Sequence, residues 1–569
     1  MLQFYDFEVF EYDWLVVIID PYGKTITKIC NDDEKLKAYF ESCSKAIWVG
    51  YNNKHYDQYI MKAILCGFDP KRVNDYIIKE KNDGWRYSSL FRKIQMINFD
   101  VMNKNDGGLK SLEGFMGNDI RETSVPFDID RKLTPDEIAE TFKYCQHDVE
   151  QTIEVFMNRI DEFNTMMHFI KHFKLPLSRI SKTKPLLAAE ILGGNSKKFN
   201  DEFDFPILDC IQLKKYKHIA DWYKKPENHN YSKKQSDVIV AGVPHTFSWG
   251  GGHGAIPKYH DTGIFIISDV TAYYPSLQQK YKFGYRVMDN PENFEFIHGS
   301  NIKYKLAGDK KARQPFKIMD NAISGQLKQA SSTMYDPMSN NSICINGQML
   351  LLDLIEHLEP YVDLVQNNTD GIVFKVRDYD MDFDIIDDIV YEWEQRTGMK
   401  MEFDTFFGEI FQKDVNNYCL IDHETGAAKC KGGYLKKLSP LDYDLPIVNA
   451  ALNDYMIKKI PVETTINECN NMIEFQKIVK LSSKYKSAWH NGKRLKERCF
   501  RVFASKDRSD GFIGKQKTDG ATIEKFANTP ENCFIYNDYV NGVKVPENLD
   551  KQWYIDLAKK RLEQFGVAC

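Results

Sequence analysis

The 569-residue sequence lacks the features that would place it in a membrane or outside the cell. No apolar run approaches the roughly 20 residues that a transmembrane helix needs. The twelve cysteines are scattered, with no Cys-x-x-Cys pair and no His/Cys cluster at zinc-site spacing. They are therefore predicted to be reduced core residues of a cytoplasmic protein with no membrane partner. No signal peptide is expected, because its cleavage would remove candidate functional residues in the first strand.

The sequence also lacks internal repeats, low-complexity segments and a strong excess of either charge. Its 76 basic and 81 acidic residues leave a net charge of −5, which argues against a uniformly basic nucleic-acid-binding domain. The net charge of the whole chain can still conceal a local basic surface. Core-forming residues are abundant: 43% hydrophobic and 13% aromatic residues exclude a disordered chain. The length predicts about four domains.

Two apolar strand patterns, far apart in the chain, end beside aspartates. Residues 264–269 form an apolar run that reaches Asp269, where the pattern breaks. Residues 362–376 form two apolar runs around a tight turn that contains Asp370. Carboxylates held at strand ends suit two cations roughly 4 Å apart, which can clamp the attacking and leaving oxygens of a phosphoryl transfer. The pattern therefore predicts a two-metal phosphoryl-transfer site.

Two short carboxylate motifs lie near the start of the chain. Asp6 and Glu8 are predicted to share one face of a strand, since side chains at i and i+2 point the same way. Asn53 and Asp57 follow an apolar strand and precede a predicted helix over 58–65. Asp57 is either a functional carboxylate or the N-cap of that helix. Each motif alone also fits an ordinary surface or capping role.

A third motif lies on a helix whose start is well marked. Thr134, Pro135 and Glu137 form a capping box with proline at the first helical position. Tyr144 and Asp148 are then four residues apart and share a face of this helix. A solvated polar face is the alternative. A tyrosine one turn from a carboxylate can also orient a metal-bound water, which favours a functional interpretation once all three motifs are considered together.

In this order the motifs resemble Asp-x-Glu, Asn-x-x-(Phe/Tyr)-Asp and Tyr-x-x-x-Asp of the DEDDy 3′–5′ exonucleases. The resemblance implies a ribonuclease-H-like domain over 1–165, in which Tyr144 positions the attacking water and Asn53 contacts DNA. It implies that two metal ions are held by four carboxylates, those of Asp6, Glu8, Asp57 and Asp148.

The strand that ends at Asp269 continues into a second family motif. Residues 269–276 read Asp-Val-Thr-Ala-Tyr-Tyr-Pro-Ser. They resemble the Asp-x-x-Ser-Leu-Tyr-Pro-Ser motif of family B DNA polymerases and depart from it at the fourth and fifth positions. The resemblance, to small phage-type members, implies that Asp269 and the carbonyl of Val270 are metal ligands. It also implies that Tyr274 excludes a 2′-hydroxyl and so selects deoxynucleotides.

A helix predicted to start at Pro315 carries a candidate nucleotide-binding face. Lys317 and Asn321 share that face at i and i+4, and a lysine suits a triphosphate. An ordinary amphipathic helix is the alternative. The segment resembles the fingers motif Lys-x-x-x-Asn-Ser-x-Tyr-Gly, with Ser324 in the tyrosine position. The resemblance implies nucleotide binding by Lys317, Asn321 and the preceding Arg313.

Three further segments match the family in part. Asn368-Thr-Asp370 resembles the Asp-Thr-Asp hairpin with its first aspartate replaced, so Asp370 is implied as the second metal ligand. Gly251 and Gly252 occupy the place of the Tyr-x-Gly-Gly loop that contacts template, although a flexible linker is the alternative. Tyr418 falls where the family has Lys-x-Tyr and is implied to contact the primer end.

Basic residues near the end of the chain suggest a DNA-gripping region. Lys431 lies in a glycine–basic turn suited to phosphate. Between residues 480 and 517, twelve Lys and Arg, Arg501 among them, face three acidic residues, with Tyr485, Trp489 and Phe500 interleaved. This composition predicts a phosphate-tracking surface, with a solvated face as the alternative. A C-terminal amphipathic helix over 552–565 is predicted to pack on the rest.

Taken together, the resemblance implies a multidomain α+β protein that performs template-directed DNA synthesis with 3′–5′ proofreading. The implied domains are an exonuclease domain at 1–165, a connecting region with the glycine-rich template-contact loop at 166–255, a palm at 256–435 with short fingers inserted at about 303–340, and a thumb at 436–569. The implied cofactor is Mg²⁺ or Mn²⁺, two ions per site. The implied partners are primer–template DNA, dNTPs and phage replication proteins of an infected bacterial cytoplasm.

Two alternatives remain open. One is a nuclease whose polymerase half has degenerated, which the departures at Asn368 and Ser324 motivate. The other is a non-catalytic DNA-binding scaffold.

Overall fold

The computed structural model describes residues 1–20 and 25–568, which divide into two compact units. Unit 1 comprises Met1–Lys182, Leu438–Ile447 and Asn467–Tyr554; unit 2 comprises Thr183–Lys437, Val448–Ile466 and the residues from Ile555 onward. Each unit combines helices with β-sheet, as a multidomain α+β chain requires. The ranges of the four predicted domains stay a prediction. Within the described ranges, no helix has the length and apolar character needed to span a membrane.

A five-stranded mixed sheet organises the N-terminal part of unit 1. Its strands are β1 (Leu2–Val9), β2 (Trp14–Ile19), β3 (Ile26–Cys30), β4 (Ile47–Gly50) and β5 (Ile97–Asp100), in the spatial order β3-β2-β1-β4-β5. The accompanying helices are α1 (Asp33–Ser42), α2 (Asp57–Leu65), α3 (Pro70–Ile78), α4 (Leu109–Met116), α5 (Pro135–Asn158) and α6 (Ile160–His172). Strand β1 pairs with β2 on one side and β4 on the other, which places Asp6 and Glu8 in the middle of the sheet.

Helix α5 begins where the sequence predicted, and for the predicted reason. Thr134 Oγ1 accepts from the main-chain N–H of Glu137, the Glu137 carboxylate accepts from that of Thr134, and Pro135 occupies the first turn. A cap of this kind is worth about 1 kcal/mol. The helix packs on β1 and β2 and thereby carries Tyr144 and Asp148 to the central strand.

A nine-stranded antiparallel sheet organises unit 2. Its strands are β6 (Lys234–Val240), β7 (Val243–Ser248), β8 (Gly251–Ala255), β9 (Tyr259–Val270), β10 (Val362–Asn367), β11 (Gly371–Val376), β12 (Met401–Asp414), β13 (Asn417–Asp422) and β14 (Ala428–Lys431). Their spatial order is β14-β13-β12-β9-β11-β10-β8-β7-β6. The predicted turn between β10 and β11 is confirmed. The central pairing of β9 with β11 joins segments that are about a hundred residues apart and sets Asp269 opposite Gly371.

The helices of unit 2 that precede β12 include a packed pair, α10 and α11, of which only α11 lies fully within the predicted fingers segment. The helices are α7 (Lys184–Ile191), α8 (Lys217–Tyr223), α9 (Tyr273–Tyr281), α10 (Pro291–Leu306), α11 (Lys310–Ser324), α12 (Pro337–Leu358) and α13 (Tyr379–Thr397). The predicted start of α11 at Pro315 is wrong. The side chain of Asp309 caps the main-chain N–H of Ala312, so the helix begins at Lys310 and Pro315 lies inside it.

The glycine cluster before β9 is strand rather than loop. Gly251 and Gly252 belong to β8, which pairs with β7 and β10. A Cβ on Gly252 would lie 2.9 Å from the ring of Phe247, and one on Gly254 would lie 2.4 Å from the ring of His245. Glycine is needed here because aromatic side chains of β7 cover the backbone. The expected loop conformation is therefore wrong, and the template contact stays a prediction.

The prediction that the cysteines are reduced core residues holds only in part: among the described free cysteines, Cys145, Cys344, Cys499 and Cys533 are buried, and the others are half-buried. Cys419 on β13 and Cys430 on β14 form a disulfide between paired strands. The other nine described cysteines are free. The expectation that all cysteines are reduced is therefore wrong for this pair.

The C-terminal region adds three helices and two small sheets. The helices are α14 (Pro446–Lys458), α15 (Val462–Glu468) and α16 (Lys551–Glu563), the last close to the predicted range. The strands are β15 (Lys477–Lys480), β16 (Tyr485–His490), β17 (Lys493–Leu495), β18 (Cys499–Ala504), β19 (Ile513–Lys517), β20 (Ile523–Lys525) and β21 (Cys533–Ile535). They pair as β15-β18-β21 and β17-β16-β19-β20, and both sheets belong to unit 1.

Part of the predicted basic surface is structural. Arg501 is fully buried, and its guanidinium donates to the carbonyls of Gly114, Asn118 and Asp538 at 3.1, 2.7 and 2.6 Å. Phe500 is also buried. Arg501 holds the C-terminal strands against the segment around α4, and Phe500 packs in the apolar core among those strands. A phosphate-tracking role is therefore wrong for both. Buried main-chain carbonyls need donors, and a guanidinium can serve several at once.

Candidate functional site

Unit 1 contains a group of four carboxylates, three of them buried and that of Asp6 half-buried, which we call the N-terminal carboxylate site. It is formed by Asp6 and Glu8 on β1, Asp57 at the start of α2, and Asp148 on α5. Oxygens of Asp6 and Glu8 lie within 4.8 Å of each other and of the Cys145 sulfur, which confirms that the two carboxylates share a strand face. The main-chain N–H of Phe7 donates to Asp57 Oδ1 at 3.1 Å.

The electrostatics of this site favour a bound cation. Burial, followed by repulsion from neighbouring carboxylates, raises the pKa of Asp6 and of Glu8 well above its usual range. Burial raises the pKa of Asp57 to about 7 and that of Asp148 to about 6. Four carboxylates with surplus negative charge and little solvent around them fit Mg²⁺ or Mn²⁺. The residues present therefore suit the implied cofactor.

The structure excludes the helix-cap alternative for Asp57, and the functional role stays a prediction. Tyr56, not Asp57, occupies the N-cap position of α2, and no side chain caps the helix there. The Asp57 carboxylate reaches back to β1 instead, where it accepts the hydrogen bond from Phe7. Asp57 is thus a member of the carboxylate group and not a helix cap.

The two polar partners predicted for this site have different surroundings. Tyr144 lies one turn from Asp148, and burial followed by the Asp148 charge raises the pKa of its hydroxyl. Asn53 is fully buried, and its amide nitrogen lies 3.5 Å from the Trp48 carbonyl oxygen and 3.4 Å from that of Phe99. The DNA contact of Asn53 stays a prediction, and its present hydrogen bonds support the turn after β4 instead.

Sequence reasoning missed three residues beside this site. Lys110 Nζ lies 2.6 Å from Asp148 Oδ1 and 3.0 Å from Glu113 Oε1. The ligand atoms of Glu113, His147 and Asp148 all lie within 4.8 Å of one another. The one sequence signal was the i, i+3 spacing of Lys110 and Glu113, which is common on ordinary helices.

The raised pKa of Asp57 predicts a pH-dependent stability in the presence of a chelator. Because its folded-state pKa of about 7 exceeds the usual value, the folded protein binds a proton that the unfolded chain releases. This contribution is complete below about pH 4 and is lost as the pH rises through 7. In EDTA, Asp57→Asn should therefore raise the melting temperature by a few degrees at pH 8 and by less at pH 5.

Circular-dichroism melting at the two pH values tests this expectation. The asparagine side chain of the variant can still accept from the main-chain N–H of Phe7, so the comparison isolates the charge. Asp128→Asn, at an exposed position, is the control and should leave the melting temperature unchanged at both pH values. An equal shift for Asp57→Asn at pH 5 and pH 8 would contradict the assignment.

Unit 2 contains a second pair of carboxylates, Asp269 and Asp370, which we call the strand-end site. The main-chain N–H of Val270 donates to the Asp370 carbonyl at 2.7 Å, so the two aspartates lie on directly bonded segments. A Cβ on Gly371 would lie 2.3 Å from Asp269 Oδ1. Glycine directly after Asp370 therefore makes room for the Asp269 carboxylate. Burial and then the Asp370 charge raise the pKa of Asp269, against the effect of nearby lysines.

A lysine of the predicted glycine–basic turn, Lys429, pairs with the strand-end site, which the sequence did not predict. Lys429 Nζ on β14 lies 3.4 Å from Asp269 Oδ2 and 2.9 Å from Asp404 Oδ2. Lys431, the predicted phosphate contact, is exposed on the same strand and also lowers the pKa of Asp269. Tyr418, the predicted primer contact, is only 5% exposed on β13 and packs in the core of the sheet.

The strand-end site offers fewer ligands than the N-terminal carboxylate site. Among residues 1–20 and 25–568, three-membered groups of potential ligands occur beside Asp6 and beside Asp148 only. At the position of the missing aspartate, Asn368 accepts a hydrogen bond from the main-chain N–H of Thr369 at 2.8 Å. The two carboxylates still suit oxygen-liganded cations such as Mg²⁺. The ligand role of the Val270 carbonyl stays a prediction.

A cavity of about 480 Å³ lies beside Tyr274 in unit 2. Ser324 at the end of α11 and Lys328 also line it. The sequence did not predict that Lys328 lies at this cavity. Tyr273, the alternative candidate for sugar selection, is buried and donates to the Gly347 carbonyl at 2.7 Å. Tyr274 is therefore the tyrosine of this pair that can meet a ligand in the cavity.

The other predicted nucleotide ligands lie on α11. Lys317 and Asn321 are exposed and share one face of the helix, as predicted. Arg313 Nε donates to Asn301 Oδ1 on α10 at 2.9 Å, a contact that joins the two helices. The nucleotide-binding roles of all three stay predictions.

Comparisons with known proteins give little beyond these geometries. No protein-family model matches the chain, and no curated protein matches it. Among solved structures, the chain is similar to the family B DNA polymerase of the hyperthermophilic archaeon Pyrobaculum calidifontis. The match covers 100% of this chain and 78% of that chain, with 12% sequence identity and a TM-score of 0.40. A similarity at this level leaves the function to be argued from the two carboxylate sites.

Proposed function

We propose that this chain is a DNA-directed DNA polymerase with a 3′–5′ exonuclease in the same polypeptide. The observation that carries the proposal is the pairing of β9 with β11, which joins Asp269 and Asp370 from distant parts of the sequence. A cavity of nucleotide size, lined by Tyr274, belongs to the same unit. The separate carboxylates of unit 1, among them Asp6 and Glu8, support the second activity.

At the strand-end site, the chain would hold and select the incoming nucleotide. Asp269 and Asp370 would hold the divalent cations. When bound, such cations activate the attacking oxygen and neutralise the transferring phosphate. Lys429 keeps the Asp269 carboxylate in place through its hydrogen bond. Lys317 would contact the triphosphate, and the Tyr274 ring would oppose a 2′-hydroxyl.

At the N-terminal carboxylate site, the chain would hydrolyse the 3′-terminal phosphodiester. Asp6, Glu8, Asp57 and Asp148 would hold the cations, and Tyr144 would orient the attacking water through its hydroxyl. Because the four carboxylates come from β1, α2 and α5, their geometry depends on the packing of unit 1 and not on a loop. The nuclease would therefore work independently of the strand-end site.

Primer extension by the purified protein tests the proposal. With Mg²⁺, template and dNTPs, a matched primer should be extended. Without dNTPs, a primer with a 3′ mismatch should be shortened. Failure to extend a matched primer under conditions that support excision would overturn the polymerase assignment.

A nuclease without polymerase activity is the second candidate. The specific observation in its favour is that the described three-membered ligand groups both lie in unit 1, while the strand-end site has Asn368 in place of a carboxylate. Excision without any extension, in Mg²⁺ and in Mn²⁺, would select this alternative.

Tyr274→Ala is expected to weaken discrimination against ribonucleotides by about tenfold or more, because the ring would no longer oppose a 2′-oxygen at the cavity. Single-nucleotide incorporation of a dNTP and of the matching rNTP measures the ratio. Tyr274→Phe keeps the ring and should keep the discrimination. Tyr273→Phe, which removes the hydrogen bond to Gly347, should lower stability but not change sugar choice. Unchanged discrimination in Tyr274→Ala would contradict the role.

A further inference from the structure

Lys110 is a largely buried cation in direct contact with the N-terminal carboxylate site. Its side chain is only 14% exposed, and Nζ lies 2.6 Å from Asp148 Oδ1. The same nitrogen lies 4.7 Å from the centre of the Tyr144 ring. Burial lowers the pKa of Lys110, but the charges of Asp148 and Glu113 outweigh this effect and raise the pKa to about 12. Lys110 thus contacts a predicted metal ligand and the tyrosine predicted to orient the water.

The Glu113 carboxylate forms a second ion pair with Lys110. It lies one turn along α4, is fully buried, and accepts from Lys110 Nζ at 3.0 Å through Oε1. Its other oxygen, Oε2, accepts no hydrogen bond and lies 3.7 Å from His147 Nε2. A buried carboxylate is costly unless it is paired, and here the close partner is Lys110. The arrangement points to a carboxylate kept in place to position the lysine.

We propose that Lys110, held by Glu113, is a positioning residue of the nuclease reaction that shares Asp148 with the bound divalent cation. The proposal rests on the exonuclease proposed above. Lys110 would fix the Asp148 carboxylate and the Tyr144 ring in the geometry that the attacking water requires. It would also leave a fixed positive charge beside the phosphate.

Such a lysine has opposite effects on cation binding and on the chemical step. An ammonium next to a metal ligand repels the incoming cation and occupies one of its oxygens, so it weakens binding. In the transition state, a preorganised cation stabilises the charge that develops on the phosphoryl oxygens. An ion pair with only a structural role would not produce this combination, because disordering the site would weaken both binding and hydrolysis.

Mn²⁺ titration of the full-length protein by calorimetry gives a readout that does not require activity. All variants carry Asp269→Asn and Asp370→Asn, which remove the strand-end ligands. In this background, Lys110→Met should bind Mn²⁺ about three- to tenfold more tightly than the protein that keeps Lys110, because a nearby positive charge is lost. Lys110→Arg keeps the charge and should differ by less than about twofold. Lys37→Met, at an exposed position of α1, removes one positive charge elsewhere and should change nothing.

Glu113→Gln supplies an independent variant of nearly the same shape. Without the Glu113 charge, Lys110 should bond more strongly to Asp148, so Mn²⁺ binding should weaken about threefold, opposite to the effect of Lys110→Met. Should Lys110→Met fail to fold, as judged by its melting curve, this opposite shift and the Lys110→Arg result carry the test.

Single-turnover hydrolysis of single-stranded DNA at saturating Mn²⁺ completes the experiment. Lys110→Met should be slower by about a hundredfold and Glu113→Gln by about tenfold. Tighter Mn²⁺ binding with slower hydrolysis supports the proposal. Weaker or unchanged Mn²⁺ binding by Lys110→Met overturns it, whatever the rate. Mn²⁺ binding by the protein without any hydrolysis would instead overturn the nuclease function, while the paired affinity shifts would still show that Lys110 shares Asp148.

Discussion

Asp269→Asn is expected to reduce primer extension by at least about a thousandfold while leaving 3′–5′ degradation of single-stranded DNA intact. Loss of one of two carboxylates removes a charged cation ligand and should raise the barrier by several kcal/mol, which corresponds to orders of magnitude in rate. Asp370→Asn should have the same effect. Degradation should persist because the four nuclease carboxylates lie on β1, α2 and α5 of unit 1. Extension on a matched primer and excision without dNTPs are the two measurements.

Asp261→Asn provides the control on the same strand. Asp261 lies on β9 and pairs with Lys375 at 2.6 Å, away from the strand end, so its substitution should leave extension unchanged. Extension by Asp269→Asn or Asp370→Asn within tenfold of the unsubstituted protein would show that the polymerase site lies elsewhere. Loss of excision in the same variants would show that the two activities share ligands.

Asp6→Ala combined with Glu8→Ala is expected to abolish excision of a 3′ mismatch while leaving matched-primer extension unchanged. The two carboxylates share one face of β1, and their oxygens lie within 4.8 Å of each other, so the double variant removes half of the four-carboxylate group. The expected loss exceeds about a thousandfold, since two charged ligands of the same cation site are lost. A mismatched primer incubated with Mg²⁺ and no dNTPs gives the excision rate.

Glu11→Ala is the matched control, because Glu11 closely follows the same strand and has a half-exposed side chain that contacts only Lys71 among the described ion pairs. It should excise at the unsubstituted rate. Excision at that rate by the Asp6/Glu8 double variant would mean that the nuclease centre is elsewhere. The same measurement on Tyr144→Phe separates loss of water orientation from loss of cation binding, because the four carboxylates remain.

Local patterns in the sequence predicted the elements that carry the candidate residues. The capping box at Thr134 marked the start of α5, so the register of Tyr144 and Asp148 was known before their surroundings were. The i, i+2 spacing of Asp6 and Glu8 predicted a shared face, and the oxygens do lie together. These predictions succeed because caps and side-chain periodicity depend on residues a few positions apart.

Other features depend on partners that are distant in the sequence, and for these features the sequence-based predictions were wrong. Pro315 suggested a helix start, but Asp309 caps the helix more than one turn earlier. Gly252 suggested a loop, but the ring of Phe247 on the paired strand explains the glycine. Arg501 suggested a DNA-facing cation, but it serves carbonyls of a segment almost four hundred residues away.

The sequence by itself determined the motifs, their order, and the faces of strand and helix on which the carboxylates lie. Only the tertiary structure decided that Asp269 meets Asp370, that Lys110 and Lys429 each pair with a predicted metal ligand, and that Tyr274 rather than Tyr273 lines the cavity. The physical reason is that periodicity and capping are encoded by near neighbours. Strand pairing, burial and the placement of a charge beside another charge arise only when distant segments pack together.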